Sequence, residues 1–74
     1  MGEHAAILVP TTSHAIRGER VLKRAGIDAK LIPTPRHLSS DCGSALRIPA
    51  AAREAAIAAL AGAGVEIERI EILD

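Results

Sequence analysis

The chain has 74 residues, 49% of them apolar, with no Phe, Tyr or Trp and a formal net charge of zero. That length bounds it to one domain, residues 1–74, near the lower size at which a single core holds alone. Neutral charge argues against a general nucleic-acid binder, and a lone cysteine, Cys42, excludes an internally stapled secreted scaffold.

The N-terminus is acidic and its apolar run, Ala5 to Val9, is too short for a signal peptide. No run approaches a membrane span, so a cytoplasmic, reducing location is expected. Ala5–Val9 reads as a strand ended by Pro10. Thr11, Thr12 and Ser13 offer helix caps, with Ser13 best placed. From His14 to Ala25 the period is helical. Ala15, Gly18, Val21, Leu22 and Ala25 share one face, and Arg17, Arg20, Lys23 and Arg24 the other. Gly18 costs about 1 kcal/mol against alanine in a helix interior, so its place on the apolar face predicts close helix-to-sheet packing. Gly26 is a natural stop.

Ala29–Ile32 forms a second strand, and Ser44–Ile48 a third, closed by Pro49. Ala50–Ala63 is an alanine-rich helix with a poor N-cap and with Ala56, Ile57, Leu60 and Ala61 expected inward. Val65–Leu73 is the last strand. Its inward positions change phase between Ile67 and Ile70, which predicts a bulge or bend near Glu68–Arg69. A faint repeat relates Ala25–Ile32 to Ala63–Ile70, each a helix stop followed by a strand. Two strand–helix–strand units in tandem give βαββαβ, the α+β ferredoxin-like sandwich. Its four-stranded antiparallel sheet would run in the order fourth, first, third, second, with both helices on one face. The expected bounds are strands near 5–10, 28–33, 44–49 and 65–73, and helices near 13–25 and 50–62.

Between the second and third strands lies Ile32-Pro33-Thr34-Pro35-Arg36-His37-Leu38-Ser39-Ser40-Asp41-Cys42-Gly43, too long for an ordinary hairpin turn of about two to five residues. Pro33 and Pro35 keep its approach extended, and Ser39, Ser40 and Asp41 can bond neighbouring amides. Gly43 permits close approach to the backbone beside Cys42. A lone cysteine is commonly an inert buried hydrophobe, but this loop presents its thiol. The topology would set Cys42 near Pro10–His14 and the first helix's N-terminus, where positive charge, with Arg36, favours a thiolate.

Other readings are weaker. His14 is a candidate base for Cys42, although a histidine in a first helical turn is commonly just exposed. Together with His37 and Asp41 these residues lack the close Cys or His pairing of zinc sites, so no metal or other cofactor is expected. Arg36 serves equally as a clamp for loop carbonyls. Residues 17–53 carry eight of the nine basic residues, which reads as solvated faces rather than a docking surface. RNA binding on such a sheet needs aromatic platforms, and a copper chaperone needs soft ligands near Pro10–His14; both are absent. The remaining rival is an ACT-like small-molecule-sensing module with no reactive thiol. No acid/base pair supports a stand-alone enzyme.

The loop with its continuation, Ile32 to Arg47, closely resembles the signature of the selenium/sulfur carrier protein-like family. The matching features are Pro35-Arg36, the Ser-Ser-x-Cys-Gly run of Ser39 to Gly43, and Leu46-Arg47. Thr12, Ala15, Glu19 and the Leu-x-x-Ala-Gly-Ile of Leu22 to Ile27 look like that family too, so the resemblance spans essentially the whole chain. Ile48 and Ile70 stand where relatives often carry aromatics, which touches packing more than chemistry. The resemblance implies a prokaryotic carrier, not a stand-alone enzyme, that holds sulfur or selenium on Cys42 as a persulfide or perselenide. Its partners would be donor and acceptor proteins, with neither nucleic acid nor membrane. Ser39, Ser40 and the Gly43 amide are positioned by sequence to bond the anion, and Arg36 to neutralise it. A second association is expected if Ile32, Ile48 and Ile7 or Val9 face the uncovered side of the sheet, since that face would then seek a partner copy as a homodimer.

Overall fold

A computed structural model describes residues 2–38 and 43–73. The elements are β1 (His4–Leu8), α1 (Thr12–Arg24), β2 (Lys30–Pro33), β3 (Ser44–Pro49), a 3-10 turn (Ala50–Ala52), α2 (Arg53–Gly62) and β4 (Arg69–Leu73). The strands form one antiparallel sheet in the order β2-β3-β1-β4, the ferredoxin-like βαββαβ arrangement.

The cap of helix α1 is Thr11, two residues earlier than the expected Ser13. Thr11 has extended backbone and its side chain accepts from the His14 amide. Pro10 explains the difference: it holds the chain extended up to Thr11, the first residue free to turn into the helix. Both helices end alike. Gly26 at φ +80° lets its own amide reach the Lys23 carbonyl and the Ile27 amide reach that of Leu22. Gly64 at φ +72° does the same with Ala61, and Val65 with Leu60. These paired bonds satisfy the last carbonyls of each helix and are the physical content of the faint repeat.

The core lies between helices and sheet. Ala5, Ile7, Val9, Leu46 and Ile48 meet Ala15, Leu22, Ala56 and Leu60 there, all buried. The tight spot is Gly18: a Cβ there would stand 2.8 Å from Leu46 Cδ1 and 3.4 Å from Leu60 Cδ2. Glycine therefore sets how closely α1 approaches β3, as its place on the apolar face predicts. The alanine-rich α2 is rotated from expectation. Ala56 and Leu60 point inward, but Ile57 is 43% exposed and Ala61 is exposed; Ala59 and Ala63 take the half-buried flank instead. With alanine on every side of this helix, its apolar pattern is nearly uniform, so packing against α1 chooses the face. Ala25 is likewise exposed, because α1 has already ended.

β4 starts at Arg69 rather than near Val65. Its register pairs Leu8 with Arg69, yet the Glu68 amide also reaches the Leu8 carbonyl at 2.7 Å. Two residues thus oppose one, a bulge at the expected place. Val65 is buried and Ile67 partly buried ahead of it, and Ile70 rejoins the core flank after it.

The uncovered sheet face differs from expectation. Ile7 pairs with Leu46 and Ile70, and Ala5 with Ile48, so these side chains, with Val9, face the helices. Only Ile32, of the four named residues, lies opposite Ala45 on the other side. That side carries Ala6, Leu8 and Ala45, with Arg47, Arg69 and Glu71. The period of two in β1 and β3 makes the assignment: Val9, Ile7 and Ile48 share one phase, and it is the one the helices cover.

Candidate functional site

The site is built where β1 leaves the sheet and α1 starts. β1 passes from Leu8 through Pro10 to the Thr11 cap, and β3 begins at Ser44, next to Ala45, the partner of Leu8. Gly43 therefore lies at the level of the β1 exit, on the side of the molecule where α1 opens. The β2–β3 ladder continues one step past Pro33 and Ser44, because the Thr34 amide donates to the Gly43 carbonyl at 3.0 Å. This bond closes the base of the loop and anchors the residue that follows Cys42.

Ser39, Ser40, Asp41 and Cys42 lie outside the described residues. The expected neighbourhood of Cys42 with Pro10–His14, and the roles assigned to Ser39, Ser40 and Asp41, fall there. The described flanks are not helical. Pro35 is half-buried and its carbonyl accepts from the Leu38 amide at 2.9 Å, so Pro35–Leu38 is a β-turn with Arg36 and His37 exposed at its tip. Arg36 is thus held on a turned segment of the same loop, with its side chain toward solvent.

His14 is half-buried in the first turn of α1, and its Nδ1 stands 2.7 Å from Thr11 Oγ1. The cap hydroxyl thereby orients the ring and leaves Nε2 as the nitrogen for further chemistry. Sequence reasoning singled out His14 and offered Thr11 as one of three caps, but favoured Ser13 and did not link Thr11 to the ring that it fixes. The signal was present: Thr-x-x-His after a proline places a cap hydroxyl three residues before the imidazole. Among the described residues no three His, Cys, Asp or Glu side chains converge as a metal site.

Two charged side chains serve the frame. Arg17 Nη2 donates to the Ala63 carbonyl at 2.9 Å, bringing positive charge to the C-terminal end of α2. Glu19 accepts from the Leu31 amide at 3.1 Å, tying α1 to β2, and pairs with Lys23 at 3.6 Å. Among the described residues, no helix is long and apolar enough to cross a membrane.

The class is thus a small α+β domain with a long β2–β3 loop whose closed base stands level with the exit of β1. The chain belongs to the family described as Putative Se/S carrier protein-like, which it matches over residues 4–71. No curated protein and no solved structure matches it.

Proposed function

We propose that this protein is a sulfur or selenium carrier that holds the chalcogen on Cys42 and relays it between a donor and an acceptor protein. Membership of the Se/S carrier-like family over residues 4–71 is the observation that carries this reading. It favours the carrier over a sensing module of the same fold. The chemistry is a transfer without net oxidation. The Cys42 thiolate attacks the terminal sulfur of a donor persulfide; the new Cys42 S–S bond forms as the donor's S–S bond breaks, and the donor thiolate leaves. With a donor perselenide the same attack falls on selenium. A thiolate is the competent nucleophile, and a nearby positive charge raises its share at neutral pH. Arg36 and the opening turn of α1 are the groups proposed to supply it, with Ser39, Ser40, Asp41 and the Gly43 amide lining the carried anion and His14 at its margin. A single thiol suits a carrier, because a second one would resolve the persulfide to a disulfide.

The test is intact-mass spectrometry after incubation with a persulfide-generating enzyme. Wild type should gain one sulfur, and Cys42→Ser none while keeping its far-ultraviolet circular dichroism. Arg36→Ala should load more slowly without losing loading. Loading that survives Cys42→Ser, or a wild-type thiol closed to reagents in the folded protein, would overturn the reading.

A further inference from the structure

The two edges of the sheet are treated differently. In antiparallel sheets alternate residues turn their backbone groups toward opposite neighbours. The Ala50 amide donates to the Glu3 carbonyl and the Glu68 amide to that of Leu8, so odd positions of β1 bond β3 and even positions bond β4. Arg69 and Glu71 therefore turn inward to Leu8 and Ala6, and Ile70 and Ile72 turn their amides and carbonyls to the outer edge of β4. The same alternation, anchored by the Thr34–Gly43 bond, turns Leu31 and Pro33 to the outer edge of β2. That edge is closed to pairing: Glu19 takes the Leu31 amide, and Pro33 has none. Such devices guard edges against strand addition. The outer edge of β4, last in the sheet, lacks a proline or a carboxylate at the two outward amides among the described residues.

We infer that β4 pairs antiparallel with β4 of a second copy, joining two sheets into one of eight strands. Charge selects the register. With Ile70 opposite Ile70, Arg69 of each copy faces Glu71 of the other; with Ile70 opposite Ile72, Glu71 would face Glu71. In the single chain Arg69 Nε already bonds Glu71 Oε2 at 2.8 Å on the uncovered face, so two copies bring four alternating charges together there. On the helix face the pairing sets Ile70 against Ile70 with Ile72 diagonal to it, and Ile72 is 43% exposed in the single chain. This edge is the one opposite β2 and the pairing uses no residue of the Cys42 loop, so it stands whether or not the carrier reading does.

Sedimentation equilibrium at high micromolar concentration tests it. Wild type should run at twice the monomer mass of 7.7 kDa. Arg69→Glu and Glu71→Arg should each fall to monomer, since each sets like charges across the seam. An equal mixture of the two variants should recover the doubled mass, because an acidic β4 then meets a basic one. The recovery also shows that both variants are folded, and no contact within one chain produces it. A wild type that stays monomeric overturns the inference and leaves this edge to a strand of another protein. Single variants that dimerise like wild type, or a mixture that stays monomeric, overturn it too.

Discussion

Three residues carry backbone or packing constraints that a substitution would expose. Gly64 holds φ at +72° with open space where a Cβ would go, so its value is conformational. Gly64→Ala should cost about 1 kcal/mol, measured by urea unfolding, since L-residues are disfavoured there by roughly that amount. Gly18 is the opposite case. Its φ is ordinary, but an added methyl meets Leu46 at 2.8 Å inside the core. Alanine gains about 1 kcal/mol of helix propensity and meets an overpacking cost of about 1–3 kcal/mol. Gly18→Ala should therefore be neutral to destabilising by about 2 kcal/mol. It should become less harmful in a Leu46→Ala background, where the blocking methyl is gone; a double-mutant cycle reads this coupling, and additive effects would refute it. Thr11 is legible only by its neighbours. The hydroxyl that caps α1 is also the one that orients His14, so Thr11→Ala should cost about 1 kcal/mol of stability. The same change should free the imidazole, visible as a new environment for its ring protons in NMR spectra.

At the scale of elements, the helices and the first three strands follow from punctuation. Pro10, Gly26, Pro49 and Gly64 each sit where an element must stop, and their backbone limits are local. The bulge ahead of β4 was also legible, because Ile67 and Ile70 cannot share a face in an unbroken strand. The face of α2 was not. Ala55, Ala56, Ala58, Ala59, Ala61 and Ala63 give it no apolar stripe to read, and the seat of Leu60 against Gly18 decides its rotation. Edge protection belongs to this scale as well. Removing the carboxylate in Glu19→Ala should speed hydrogen exchange at the Leu31 amide while amides of β1 stay slow. Unchanged exchange at Leu31 would show that Glu19 does not guard the edge.

For the whole molecule, the order β2-β3-β1-β4 has one consequence for chemistry. It brings the start of α1, the base of the Cys42 loop and the bulge of β4 to one end of the sheet. The sequence alone determined the elements, the thiol-bearing motif and the family to which it points, because these rest on local backbone limits and on residue identity. It also showed a continuous apolar run in β1 and a weak alternation in β3, but not which phase the helices cover. That choice places Ile7, Val9 and Ile48 inside and leaves Arg47, Arg69 and Glu71 on the other face. Only the tertiary structure decided it, since both faces of these strands are apolar enough to bury and the crossover connections choose between them. The same holds for the two edges: Glu19 and Leu31 are twelve residues apart in the chain, and nothing local says that one will close the strand that carries the other.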